Sequence, residues 1–325
     1  MRAWQVQGAG DPRDVLHLVD AELPTPGPNE VRVRVTAAGV GLPDAFMCRG
    51  TYPLTPGLPF IPGQEVTGVV TALGDGVDLP LGTEVMGVTQ FVGGQGGFAE
   101  ECLLSADGAF AVPDGLTSTE AAGFWIPHLT GWIGLVERGG LQSGEVVAVL
   151  GAAGSSGIAA VQLAHALGAR VIAVVSDDER AALCRVCGAD DIVDRTHGEL
   201  APSLRALTDE RGVDLVYDPV GGTIGEDAAR GMARGGRFLA VGFASGAWPS
   251  FATHDLVIAN ASLVGVFAGR HTRAELDAIH DALAELVRDG RLRNTVTEHV
   301  PFAQLPDAIQ RMADGRVVGK LVVVP

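Results

Sequence analysis

Val146-Val-Ala-Val-Leu150 runs directly into Gly151-Ala-Ala-Gly154-Ser-Ser-Gly157, and this stretch decides how the rest of the chain is read. Five apolar residues, three of them β-branched valines, spell a buried strand. Three glycines follow at a spacing of three, and the chain reads as helical by about Ile158. The turn between the two elements has a physical use. The first N–H groups of a helix lack intrahelical acceptors, and the helix dipole favours negative charge there. Gly151 permits the turn, Gly154 lets a phosphate reach the backbone, and Gly157 lets the helix pack closely on the strand. The candidate anion cradle is therefore Gly151, Ala153, Gly154, Ser155, Ser156 and Gly157.

Further along, strands are expected at Val171–Val175, Asp191–Val193, Leu215–Asp218, Arg237–Val241 and Leu263–Phe267, with helices filling most of the gaps. With Val146–Leu150 they make six strands joined mainly by helices. That pattern predicts an α/β fold with a Rossmann-type doubly wound parallel sheet. In such a sheet the glycine loop is the place for a dinucleotide pyrophosphate. Upstream, Val31-Arg-Val-Arg-Val35 alternates strictly, and short apolar runs follow at Val66–Leu73, Glu84–Val88 and Phe98–Leu104. Pro24 to Pro28, Pro53 to Pro62 and Gly93 to Gly97 break them up, as in a β-rich barrel or sandwich. Thr117-Ser-Thr-Glu120 signals a helix start, with helical periodicity over 121–135. An amphipathic helix, 272–288, and a strand, Lys320–Val324, close the chain. That tail is too short to fold alone and is expected to rejoin the first domain. The expected division is 1–120 with 268–325, and 121–267.

The 325 residues carry 39 acidic and 23 basic side chains, a net charge of −16. So acidic a surface repels nucleic acid and anionic membranes. No apolar run has the length of a signal core or a membrane span, and four cysteines make no disulfide framework, so a cytoplasmic protein is expected. An anionic cofactor then needs local cations. No carboxylate stands at the tip of the second strand, which ends Val174-Val175-Ser176. Asp177 and Asp178 follow where they can start a helix, and Ser176-Asp-Asp-Glu179 also reads as a capping box. Ser176, Arg180 and Arg195 suit a 2′-phosphate, and the reading is NADPH.

Spread through the chain are Ala38-Gly-Val, Tyr52-Pro, Leu58-Pro, Pro62-Gly63 with Glu65, Gly97-Phe-Ala-Glu100, Thr130, Gly188-Ala-Asp190, Gly235-Gly-Arg237, Val241-Gly242 and Gly319-Lys320. In this order they resemble the zinc-independent quinone oxidoreductases of the medium-chain dehydrogenases/reductases. The resemblance implies a GroES-like barrel domain beside the Rossmann domain, an active site in the cleft between them, and usually a homodimer. It implies hydride transfer from NADPH to a quinone or to a carbon–carbon double bond conjugated to a carbonyl, as in an enoyl thioester. A cofactor-binding protein with little turnover is the alternative of another class. Tyr52 matches a cleft tyrosine, the candidate catalytic residue. Thr130, Gly242, Phe243 and Phe267 match positions near the nicotinamide, and Gly319 and Lys320 complete the candidate cofactor residues. Zinc-dependent relatives carry a cysteine and a Gly-His-Glu run where this chain has Gly39-Val-Gly-Leu-Pro-Asp44 and Gly63-Gln-Glu65, which argues against a catalytic metal. Cys184-Arg-Val-Cys187 falls within an expected helix and reads as core filling. The edge strand at 263–267 is the candidate dimer contact.

Overall fold

A computed structural model describes residues 1–293 and 295–325. The chain divides into two units, Met1–Ile126 with Asn294–Pro325, and Pro127–Arg293.

In the first unit β1 (Arg2–Val6) and β2 (Leu16–Asp20) form an antiparallel ribbon. The long strand β3 (Glu30–Val40) is the spine of the main sheet. Val31, Val33 and Val35 are buried on its inner face, as the alternation predicts. It pairs antiparallel with β4 (Glu65–Leu73), which pairs with β5 (Glu84–Thr89), which pairs with β6 (Glu101–Ala111). β6 returns to the first half of β3 and closes a barrel. Phe60, Phe98, Cys102 and Leu104 fill its core. The second half of β3 takes the closing strand, Lys320–Val324, with Leu321 to Val323 opposite Val40 to Ala38. A strand not anticipated from the sequence, Val296–Pro301, runs parallel to that closing strand.

The second unit holds β7 (Val146–Leu150), β8 (Arg170–Val175), β9 (Asp191–Asp194), β10 (Val213–Asp218), β11 (Met232–Ala240) and β12 (Ser262–Gly265). All are parallel, in the order β12-β11-β10-β7-β8-β9. The chain winds outward from β7 to β9, then crosses back to β10 on the other side. That reversal opens a crevice at the carboxyl end of β7. β11 begins earlier than expected because Met232 already pairs with Val213 before a register shift.

Two sequence boundaries are corrected. The helix expected over 121–135 is Ser118–Ala121, Trp125–Trp132 and a π-helical turn, Ile133–Arg138. Gly123 interrupts it at a point where a Cβ would meet the Lys320 side chain at 2.7 Å. The domain borders lie at 126/127 and 293/294 instead of 120/121 and 267/268. Ala122 packs with Ala37 and Val322 in the first unit, which carries its border past residue 120. The Arg273–Arg288 helix buries Ile279, Leu283, Leu286 and Val287, and Arg293 N–H donates to Gln162 Oε1 at 2.8 Å, which keeps the chain in the second unit.

Lys320 fastens the closing strand. Its Nζ lies 2.5 Å from Glu65 Oε1, and both side chains are only 4% exposed. Glu65 Oε2 also accepts the Ile126 N–H at 2.9 Å. Removing one partner leaves an uncompensated buried charge. Lys320→Met is expected to lower stability by about 3–5 kcal/mol in urea unfolding, and adding Glu65→Gln to recover part of that loss.

Candidate cofactor and active site

β7 ends at Leu150 and the chain turns at Gly151, whose φ is +55°. A Cβ there would meet Val220 Cγ2 at 2.8 Å, so the turn lies against the loop that follows β10. Ala152 and Ala153 are buried beneath it. Gly154 is the N-cap of the Ser155–Ala166 helix and has no side chain to occupy the first-turn N–H groups. At Gly157 a Cβ would stand 2.3 Å from the Gly151 carbonyl oxygen and 2.7 Å from Ala152 Cα, so no larger residue fits. Ser155 Oγ is buried without a hydrogen-bond partner. Ser156 Oγ instead lies 2.8 Å from the Tyr217 hydroxyl, a partner the sequence pattern does not reveal. Tyr217 is fully buried, which pushes its phenol pKa up. An uncapped helix, a glycine-lined turn and an orphaned hydroxyl together fit a bound phosphate group.

The neighbouring loops hang on one another. Asp218, at the end of β10, accepts the Val220 and Gly221 N–H groups at 2.8 Å through Oδ1, while Oδ2 has no partner. Burial raises its carboxyl pKa. The Asp218 carbonyl accepts from Val241 and Gly242, and the Pro219 and Val220 carbonyls accept from Ala244 and Ser245. Gly242 and half-buried Phe243 are thus fixed beside the glycine turn. Phe243 stacks on Trp248, with ring centroids 4.9 Å apart. Thr130 sits half-buried in the Trp125–Trp132 helix, and Phe267 is 59% exposed beyond β12.

Past β8, Asp177 is the N-cap of the Asp178–Val186 helix and accepts the Arg180 N–H. The capping residue is therefore Asp177 and not Ser176, because the N–H three positions on belongs to Arg180. Ser176 and Arg180 are both half-buried, and exposed Arg195 donates its N–H to the Val175 carbonyl at 2.9 Å. Ser176 and Arg180 thus lie just past the end of β8, and the Arg195 backbone is tied to its last residue. Cys184 is fully buried in that helix and burial pushes its thiol up to about 12, in keeping with core filling.

Tyr52, Gly319 and Lys320 belong to the first unit. The sequence suggests Lys320 as a cofactor residue, but its ammonium is buried and neutralised by Glu65, so it is a strand anchor. Gly319 precedes it at a φ of +82°, packed on Thr297. Tyr52 packs half-buried on the barrel core, and burial raises its phenol pKa against the opposing effect of the Gln64 side chain. Asp44, on the Leu42–Cys48 helix, accepts the Gly41 N–H at 2.8 Å and the Gly63 N–H at 3.2 Å. Among the described residues no group of three or more His, Cys, Asp or Glu side chains is placed to hold a metal ion.

Comparison with known proteins fits this geometry. Residues 27–114 match the alcohol dehydrogenase GroES-like domain, and residues 157–285 the family described as zinc-binding dehydrogenase. The chain is 32% identical to a quinone oxidoreductase-like protein 2 homolog of Nematostella vectensis, over 91% of this chain and 82% of that protein. The chain belongs to the quinone oxidoreductase family of the medium-chain dehydrogenases/reductases. Among solved structures, a mycobacterial protein complexed with NADPH superposes with a TM-score of 0.93 at 31% identity, each chain covered completely. Escherichia coli quinone oxidoreductase complexed with NADPH gives 0.90 at 25% identity, again over both whole chains. The match to a zinc-binding family does not carry zinc ligands with it. In this oxidoreductase the segments read against them are Gly39-Val-Gly-Leu-Pro-Asp44 and Gly63-Gln-Glu65.

Asp44 has a consequence for stability. Burial raises its carboxyl from 3.8 to about 7 in the folded chain. The native state therefore holds an extra proton across that window, and the stability it contributes is lost as the pH rises through the folded value. The stability of the wild type relative to Asp44→Asn is expected to fall between about pH 4 and pH 8 in thermal unfolding. A difference independent of pH would contradict the assignment.

Proposed function

We propose that this oxidoreductase transfers a hydride from NADPH to a quinone without a metal ion. The uncapped start of the Ser155–Ala166 helix carries the reading: it opens at the strand-order reversal, and its turn admits nothing larger than glycine at Gly157. When bound, the reduced dinucleotide supplies the hydride. Backbone N–H groups at Ser155 to Gly157 hold its pyrophosphate, and the Ser155 hydroxyl gains the partner it lacks. Ser176, Arg180 and Arg195 recognise the 2′-phosphate. Gly242, Phe243 and Thr130 form the nicotinamide end. The Tyr52 phenol is protonated at neutral pH and burial raises it further, so it stands as a hydrogen-bond donor to the acceptor oxygen, and delivering its proton would need the charge that develops on that oxygen.

NADPH is the cofactor of two structural relatives, and their likeness of fold supports the same cofactor here. NADPH oxidation followed at its near-ultraviolet absorbance is expected with quinones, and more slowly with enones and enoyl-CoA esters. NADH is the parallel cofactor. Faster turnover of an enoyl-CoA ester would assign the chain to enoyl reduction instead. No oxidation with any acceptor would favour a binding protein. Tyr52→Phe is expected to lower kcat by about 10²-fold or more if the phenol delivers the proton. Unchanged turnover would remove that role.

A homodimer joined along β12 is part of the same proposal. This edge strand exposes Leu263, Phe267 follows it, and the Thr253–Ala259 helix buries no residue while exposing Val257 and Ile258. An apolar open edge favours pairing with a second copy. Light scattering is expected to give twice the chain mass of 33.5 kDa, reduced toward one chain in Leu263→Lys.

A further inference from the structure

At the start of the Asp178–Val186 helix the chain places an anion of its own where the 2′-phosphate is expected. Asp177 Oδ1 accepts the Arg180 N–H at 2.9 Å. Its Oδ2 accepts the Ser176 hydroxyl at 3.0 Å and also the Arg180 guanidinium. Both half-buried groups read as phosphate ligands are therefore already bonded to one carboxylate. The Arg180 backbone hydrogen bond, and then its side chain, hold that carboxyl below the usual carboxylate range. The Asp177 side chain is 39% exposed and the Arg180 side chain 22%, so the carboxylate is open to solvent and to an arriving ligand.

We propose that Asp177 sets the choice between a 2′-phosphorylated and a free adenosine ribose, by engaging Ser176 and Arg180 and by offering its own carboxylate to a 2′-hydroxyl. This rests on the reading that the site beyond β8 holds the adenosine ribose. A 2′-phosphate must draw Arg180 and Ser176 away from Asp177, or share them and stand beside a like charge. Exposed Arg195 is the cation that offsets this repulsion. A free ribose needs no such exchange, because its hydroxyl donates to the carboxylate as it stands. Preference for NADPH over NADH is therefore narrower than two arginines alone would give.

Asp177→Asn and Asp177→Ser keep a capping acceptor for the Arg180 N–H and remove the charge. Calorimetric titration of the whole chain with 2′,5′-ADP, AMP, NADPH and NADH gives dissociation constants without turnover. Both variants are expected to bind 2′,5′-ADP and NADPH about 3- to 10-fold tighter, and AMP and NADH no tighter. Arg180→Ala is expected to weaken 2′,5′-ADP and leave AMP unchanged. The proposal is overturned if neither Asp177 variant changes the ratio of 2′,5′-ADP to AMP affinity while Arg180→Ala does. If the wild type binds 2′,5′-ADP no better than AMP, and Arg180→Ala changes neither, the 2′-phosphate reading itself fails and takes this proposal with it.

Discussion

The close approach between Gly157 and the Gly151 carbonyl governs the candidate site. A helix that begins so near its preceding strand has no room for a side chain at its third position, Gly157. Its leading N–H groups stay uncapped because the N-cap, Gly154, has no side chain. The same tightness demands small residues at Ala152 and Ala153 and presses Gly151 on Val220. Val220 belongs to the loop that Asp218 stabilises from below, and that loop in turn carries residues 241–245 on its carbonyls. One steric constraint thus links the phosphate end of the site to the loop bearing Gly242 and Phe243.

The barrel unit solves a different problem, the burial of acidic side chains in a chain of net charge −16. Glu65 has an ammonium and a backbone N–H, and both its oxygens are satisfied. Asp44 has two backbone N–H donors and its burial drives the carboxyl toward its neutral form. Each carboxylate is turned inward to organise its own chain. A buried pair of this kind adds little net stability over an apolar pair. The register of the closing strand on β3 is carried by backbone pairing of Leu321 to Val323 with Val40 to Ala38.

Legibility follows the range of the forces involved. The six strands of the second unit are readable because each is a local apolar run bounded by turns, and β7 matches residue for residue. The glycine loop is readable because its spacing expresses a backbone constraint. The Val296–Pro301 strand is not, since Val-Thr-Glu-His-Val has a mixed pattern and is held by pairing to a strand at the chain's end. The second domain border, 293/294 instead of 267/268, escapes for a related reason: an amphipathic helix shows that it has a buried face but not which surface covers it. At the site, position alone suggests roles for Lys320 and Ser156, whereas their partners Glu65 and Tyr217 lie 255 and 61 residues away. Only the Asp177–Arg180 pair is within local reach, and there the sequence pattern places the cap one residue too early.

The two halves of the proposed cofactor site differ in how firmly they are built. Backbone N–H groups at Ser155 to Gly157 carry partial charges that no side-chain movement can neutralise, and the packing at Gly157 holds them in place. Arg180 carries a full charge, but on a flexible stem with a carboxylate three residues away. The first kind of recognition is set when the sheet and helix dock. The second depends on competition among neighbouring side chains. In an acidic chain this division has a physical logic. Side-chain cations are readily claimed by nearby carboxylates, while the amide dipoles of a helix start cannot be claimed once glycine has cleared the space around them. In the proposed site, pyrophosphate recognition is therefore a property of the fold, and 2′-phosphate recognition a property of three or four exchangeable side chains on its surface.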